Sequence, residues 1–311
     1  MLHLCVTVPP AQVTAVVDRL EATIGVAHLA HLVGASLRPP GDVVLCDVAR
    51  EAADDVIEWL QEQGIDRDGA ITLTVLDTVV SDAAERAEDA APGHGTDALV
   101  WDELEAVVRD QATLTPSLLV VMAVASMIAG IGIVLDSPIL IVGAMVVGPE
   151  FGPVASLSVA TVQRRWAHAF GALVTLLGAV IAGAVATYLL MVVVRTAGSA
   201  PDGYILSERQ LTAFISQPDI LAAIVAVLAG VAGMLALTEN RSGTLVGVLV
   251  SVTTIPAVAN IGVAAAYGEG SEMAGAAFQL SVNITGLVLA GAVTLAVQDR
   301  LTAGERVGPE P

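Results

Sequence analysis

Five long windows without a single Asp, Glu or Arg constrain the fold of this 311-residue chain more than any other feature. They cover residues 111–135, 166–194, 220–238, 242–268 and 273–298, and a sixth window, 137–163, contains only Glu150. About 20 mainly apolar residues are enough to cross a bilayer as a helix. Charged residues make up only 14% of the chain, against about 25% in soluble domains. The pattern therefore predicts a polytopic helical membrane protein.

Six spans are predicted, at residues 116–135, 138–162, 167–193, 219–238, 244–266 and 274–297. The first residues show no basic start and no cleavage signature, so we expect the N-terminus to remain in the cytoplasm. The following arginines then lie on the cytoplasmic side, which agrees with the positive-inside rule: Arg164, Arg165, Arg241, Arg300 and Arg306. We expect a prokaryotic inner-membrane protein with both termini, including the tail 299–311, in the cytoplasm.

The part before the spans differs in charge and pattern. Residues 1–115 hold 21 acidic and 6 basic residues, a net charge of −15. This charge argues against nucleic acid as a partner and against a polybasic membrane anchor. Residues 81–97 are polar and contain Pro92-Gly93, so we predict a linker there, followed by an amphipathic helix over 99–114.

Residues 1–80 predict a small ferredoxin-like domain with the order strand, helix, strand, strand, helix, strand. The predicted elements are 2–8, 11–23, 26–33, 42–48, 51–62 and 70–79. In the usual strand order of that fold, the first and third strands are neighbours, so Cys5 and Cys46 come close together. A reducing cytoplasm favours two free thiols over a disulfide.

The membrane part, residues 116–298, contains an internal repeat. Residues 169–185 and 277–293 are identical at nine of 17 positions, at an offset of 108, and Val142-Gly143 matches Val246-Gly247. The repeating unit is three spans long, so the second copy must be inverted relative to the first. Inverted repeats with interrupted helices are typical of secondary transporters, whose sites lie near the membrane midplane.

Prolines predict helix breaks in the second and fifth spans, because proline removes a backbone donor. Glu150 lies inside the first break, where an ionisable group is costly and usually faces a protein interior or a wet cavity. It is either a proton or cation site, or a protonated carboxyl that hydrogen-bonds a broken helix end. We predict a pathway lined by Gly148, Pro149, Glu150, Gly152, Pro153, Thr253, Thr254, Pro256, Asn260 and Asn283, with Gln279 as a weaker candidate.

The chain contains no Walker-type phosphate loop, no HExxH, no GxSxG and no cysteine cluster. These absences argue against an enzyme and against ATP-driven pumping, and no cofactor or metal is predicted.

A distinctive pattern runs through the membrane part, in residues 129–133, in 141–145 followed by Gly148-Pro149 and Gly152-Pro153, and in 247–262 with Asn283. This pattern resembles a family of bacterial and archaeal membrane proteins called domain of unknown function 389. The resemblance covers about residues 117–298 and implies the membrane fold, but no substrate or reaction. Many family members look like Ala-Pro-Leu-Met-Gly-Pro where this chain has Gly-Pro-Glu-Phe-Gly-Pro, so we expect the carboxylate to mark a subgroup.

Two hypotheses follow. The first is a secondary transporter or channel for an ion or small solute, with its site at the helix breaks near Glu150 and Pro256. The alternative is a non-transporting membrane sensor or scaffold whose N-terminal domain binds a ligand or partner. In either case we expect a homo-oligomer, because exposed edges of small sheets often pair.

Overall fold

A computed structural model describes residues 1–76, 78–91, 100–199, 220–238 and 243–306, without the side chains of 243–253 and 302–306. The predictions for residues 92–99, 200–219, 239–242 and 307–311, and for the Thr253 side chain, lie outside this part. The chain forms two compact units, residues 1–104 with 297–311 and residues 105–296.

The first unit is built on a four-stranded antiparallel sheet. Its elements are β1 (Leu2–Val8), α1 (Val13–Ala22), β2 (Val26–Leu37), β3 (Pro40–Val48), α2 (Arg50–Glu62), the short α3 (Ile65–Asp68) and β4 (Ala70–Val75). The strand order is β2-β3-β1-β4, so β1 and β3 are central neighbours as predicted. Cys5 is opposite Leu45 and Leu4 is opposite Cys46 in this pair. Both cysteines are free thiols.

Every second side chain of β1 is buried, and these side chains form part of the core beneath the sheet. Leu2, Leu4, Val6 and Val8 are almost fully buried, whereas the residues between them are partly exposed. The buried side chains face Val16 and Leu20 of α1 and the apolar stripe of α2. Burial also raises the pKa of the Cys46 thiol to about 12, so this thiol stays protonated and unreactive near neutral pH.

Residues 82–90 correct one prediction. They form helix α4 (Asp82–Ala90), where the sequence predicted a linker. The Ser81 hydroxyl accepts hydrogen bonds from the backbone N–H groups of Ala83 and Ala84, which caps the helix. The alanines and glutamates that follow are strong helix formers, and Ala84 and Ala87 are buried. The polar composition concealed this helix because its buried face is made of alanine alone.

The Asp47 carboxylate of β3 forms a hydrogen bond with a histidine on each neighbouring strand, His3 of β1 and His28 of β2. Asp47, only 8% exposed, lies 2.7 Å from Nδ1 of His3 and 2.6 Å from Nδ1 of His28. Burial by itself raises the pKa of Asp47, but the hydrogen bonds and charges of His28 and His3 together hold it below its usual value. A carboxyl group with a lowered pKa stabilises the folded state above its unfolded pKa, and this stabilisation is lost as the pH falls.

Asp47→Asn is therefore expected to lower the unfolding free energy of the full-length protein by about 1–3 kcal/mol at pH 7, as for hydrogen bonds to a charged group. The difference from wild type should shrink below about pH 4, where the unfolded carboxyl becomes protonated. Thermal denaturation at several pH values measures this, with Asp18→Asn on the exposed face of α1 as the control. A pH-independent difference would show that the loss has another cause.

The second unit contains the apolar helices. They are α6 (Pro116–Val134), α7 (Pro138–Val147), α8 (Phe151–Val162), α9 (Trp166–Thr196), α10 (Ile220–Thr238), α11 (Gly243–Tyr267) and most of α12 (Gly270–Arg306), preceded by α5 (Trp101–Gln111). Their core brings together α6, α7, α9, α11 and α12. α11 is the most enclosed of these helices in its described half: Ile255, Val258, Ala259, Val263 and Ala264 are fully buried.

Four of these helices, α6, α9, α10 and α12, are long and apolar enough to cross a membrane. α7 and α8 together would make a fifth span, bent by 57° at the three residues between them. The part of α11 whose side chains are described, Thr254–Tyr267, is a shorter apolar helix. Within the described residues the count is therefore four or five, and the predicted six spans are not confirmed.

The two predicted helix breaks have opposite outcomes. The break in the second span is present, between α7 and α8. The break predicted in the fifth span is wrong, since α11 stays helical through Pro256. One proline removes one hydrogen bond of a helix, and α11 is held by neighbours on several sides at this point. At the first break the proline is preceded by Gly148, and glycine is itself a poor helix former.

Candidate functional site

The break between α7 and α8 positions Glu150. Gly148, before Pro149, has extended backbone angles (φ −61°, ψ 131°) and ends α7, because proline sterically disfavours a helical residue in front of it. Glu150 returns to helical angles (φ −74°, ψ −13°) and begins α8. The backbone O of Glu150 accepts a hydrogen bond from Val154 N, the first turn of the new helix. The sequence Gly-Pro-Glu thus turns the chain and places a carboxyl group at the turn.

The Glu150 side chain is buried and bonded across to another helix. It is 1% exposed, and the Thr254 hydroxyl donates to its Oε1 over 2.6 Å. Thr254, itself 2% exposed, belongs to α11. The structure therefore unites one residue from each of the two segments that the sequence predicted as helix breaks.

Gly148 gives the carboxyl group its space. A Cβ at this position would collide with the Glu150 carboxylate and would lie 2.8–2.9 Å from the side chain of Ile255. Ile255 is fully buried and was not predicted as a site residue. No sequence signal could have identified it, because the contact depends on how α11 is rotated against the turn.

Gly152 has a similar role one turn further on. A Cβ there would lie 2.5–2.9 Å from Gln111, including its backbone carbonyl, so the end of α5 lies directly on α8. Pro153, also buried, is in the first turn of α8, where a missing N–H costs no helical hydrogen bond. Gly152 and Pro153 are therefore packing positions beside Glu150, and Gln111 is a neighbour that the sequence did not reveal.

The remaining predicted residues lie at other places on α11 and α12. Pro256 and Asn260 are buried on α11, and Asn260 is six residues from Thr254, about 9 Å along a helix. On α12, the Gln279 amide donates to Asn283 Oδ1 over 2.9 Å, and both side chains are at least 96% buried. These amides form a second polar pair, on α12.

This arrangement has a definite chemical capacity. A carboxyl group can gain or lose a proton, and a threonine hydroxyl can donate to either form. Burial makes the charged form costly unless a proton or cation accompanies it. Among the described residues, no three His, Cys, Asp or Glu side chains converge in the way that a metal centre requires.

Comparison with known proteins places this region in a family. Residues 145–289 match the family described as Domain of unknown function (DUF389). This matched region, a little under half of the chain, is similar to the DUF389 family. The DUF389 region begins in α7 and ends in α12, so it contains Glu150, Thr254, Gln279 and Asn283.

The chain is also similar to an uncharacterised protein of Methanocaldococcus jannaschii. The two are 25% identical over 196 residues, which is 61% of this chain and 58% of the relative. The match thus spans less than two thirds of the relative's length. No solved structure matches this chain.

Proposed function

We propose that this protein is a secondary transporter or channel for an ion or small solute, with a pathway that passes Glu150. The observation that carries the proposal is the buried carboxyl group at the α7–α8 break, bonded to Thr254 of α11. An anchor or scaffold needs no broken helix with a buried ionisable group, and such a group is costly in a membrane. No catalytic role is proposed.

The contact between Glu150 and Thr254 supports the inverted repeat. The match of Val142-Gly143 with Val246-Gly247 has an offset of 104, and at this offset Glu150 corresponds to Thr254. The two residues that the repeat relates therefore contact each other. In a twofold arrangement, this occurs for residues next to the symmetry axis. Sites of repeat-built transporters lie at the interface between the repeats.

The packing around two glycines also supports the inverted repeat. At the offset of 108, Gly183 of α9 corresponds to Gly291 of α12. A Cβ on Gly183 would meet Ser126 of α6 and Val258 of α11, and one on Gly291 would meet Met234 of α10 and Ser158 of α8. Each glycine thus faces the first helix of its own half and the second helix of the other half, as a repeat of three helices requires.

The setting in the cell is part of the proposal. The arginine distribution supports a prokaryotic inner membrane with both termini in the cytoplasm. Exposed apolar residues on the edge strand β2, Val33 and Leu37, support a homo-oligomer through the N-terminal sheet. The lipid bilayer and a small solute or ion are then the partners.

Flux through reconstituted protein tests the function. Purified protein in liposomes is compared with empty liposomes across a screen of cations, anions and pH gradients. A current or internal pH change that requires the protein supports transport. If correctly inserted, folded protein gave no current or pH change across the whole screen, this result would contradict the proposal and favour the sensor or scaffold.

Thr254→Val is expected to lower this flux about tenfold, the size of one lost hydrogen bond to a charged group. The substitution removes the hydroxyl that donates to Glu150 and keeps the side-chain shape. Thr254→Ser should retain most of the flux. Thr187→Val is the matched control, because the buried Thr187 hydroxyl donates only to the carbonyl of Gly183 on its own helix. Equal effects of the two valine variants would argue against a role of the Thr254 hydroxyl.

A further inference from the structure

A cleft of about 270 Å³ lies between α5, α8 and α9. Its cationic side chains are Arg109 and Arg165, its one acidic side chain is Glu105, and the imidazole of His168 also lines it. Glu105 pairs with Arg165, so Arg109 and His168 remain as the groups that can meet a ligand. The chain as a whole carries 32 acidic residues against 13 basic ones. The charge of this cleft is therefore opposite to that of the protein around it.

The floor of the cleft supplies neutral hydrogen-bonding groups. Ser156 of α8 and Thr175 of α9 are 9% and 4% exposed and line it. Gln163 also lines it, and its buried Oε1 has no hydrogen-bond partner within the described part of the chain. A buried amide oxygen without a partner is costly, and a ligand with a hydroxyl or acid proton would satisfy it. Apolar walls from Val108, Val159 and Ala172 complete the cleft.

We propose that this cleft binds a small solute carrying a carboxylate or phosphate group. Arg109 and His168 would hold the anionic group, as arginine does in charge-assisted pairs, and Gln163 would accept from a proton of the same solute. This inference rests on the proposed transport function and deepens it by naming the substrate class. Ser156 is six residues along α8 from Glu150, about 9 Å, so the cleft lies near the buried carboxyl group.

The internal repeat supports a role for the cleft floor in a pathway. At offsets of 104 and 108, Ser156 corresponds to Asn260 and Thr175 to Asn283. The equivalent positions in the second half are thus also polar, and there they are almost fully buried. His168 corresponds to Ala276. The floor is therefore polar in both halves, whereas the histidine that lines the cleft is found in the first half alone.

Ligand-induced stabilisation of the full-length protein in detergent tests the site, because a ligand that binds the folded state raises its Tm. The probes are inorganic phosphate and acetate, with chloride at equal ionic strength as the reference. We expect a Tm increase in wild type and an affinity about tenfold lower in Arg109→Gln and in His168→Gln. Arg164→Gln is the matched control, since Arg164 is exposed and does not line the cleft.

A phosphate group can also come from a lipid headgroup. Dioleoylphosphatidylglycerol in mixed micelles forms a second arm of the same experiment. Stabilisation by the lipid alone, lost in Arg109→Gln, would assign the cleft to a lipid headgroup and overturn the solute proposal. No stabilisation by any probe, or equal shifts in Arg109→Gln and Arg164→Gln, would overturn the anion site altogether.

The same variants separate this inference from the proposed function. Glu150→Gln should keep the anion-induced Tm increase, because Glu150 does not line the cleft. Binding without any flux would leave the anion site in place and contradict transport. Glu150-dependent flux without binding at Arg109 would support transport and contradict the anion site.

Discussion

Glu150→Gln is expected to reduce proton-coupled or cation-dependent flux to the level of empty liposomes while the protein remains folded. Glutamine has the same shape and can still accept the hydrogen bond from the Thr254 hydroxyl. It cannot bind or release a proton and cannot balance a cation. The variant therefore removes the charge chemistry of the site and preserves its packing. Flux in proteoliposomes under a pH gradient measures the loss.

Two variants complete this experiment. Glu269→Gln removes a carboxylate from an exposed turn between α11 and α12 and should leave flux unchanged. Glu150→Asp keeps an ionisable group but shortens its reach to Thr254, so partial flux is expected. Wild-type flux in Glu150→Gln would refute a coupling role for this residue. An equal loss of flux in Glu269→Gln would mean that the flux depends on the overall charge of the protein rather than on the buried carboxyl group.

Gly148→Ala is expected to lower flux at least tenfold with only a modest effect on stability. The added Cβ must displace the Glu150 carboxylate and the end of the Ile255 side chain. Both are flexible ends, and the extended backbone at 148 is open to alanine. An overpacking cost of about 1–3 kcal/mol is offset by about 0.4–1 kcal/mol from the stiffer unfolded chain. Flux measurements and thermal denaturation together test whether the flux falls while the stability is largely retained.

Gly143→Ala is the control for this variant. It lies on the same helix, α7, and nothing lies within 4 Å of its added Cβ. Adding Ile255→Val to Gly148→Ala removes the Cδ1 atom nearest the new Cβ and should recover part of the stability but not the flux, because the collision with the carboxylate persists. Full recovery of flux in the double variant would show that Ile255, and not Glu150, is the important contact.

The elements that could be predicted from the sequence are those set by local chemistry. Gly148-Pro149 places a poor helix former directly before a proline, so the break between α7 and α8 can be predicted from the sequence alone. The alternation in Leu2–Val8 likewise predicts β1. α4 was missed because its buried face consists of alanines, which carry little hydrophobic signal.

The contacts within the site could not be predicted from the sequence. Thr254 could be chosen as a candidate, but its contact with Glu150 depends on the rotation of α11, which no local pattern records. The same is true of Gln111 against Gly152, two residues 41 positions apart. The break predicted at Pro256 is absent, because a packed helix can accommodate a single proline that would break an isolated helix.

The pairing of Glu150 with Thr254 also bears on how such a protein could evolve. If the two halves descend from one duplicated gene, the ancestor carried the same residue at both positions. Two glutamates in contact would repel each other when ionised, and two threonines would leave the site without an ionisable group. Divergence at this one position would therefore give the duplicated unit a direction, since it makes the two faces of the molecule chemically unequal.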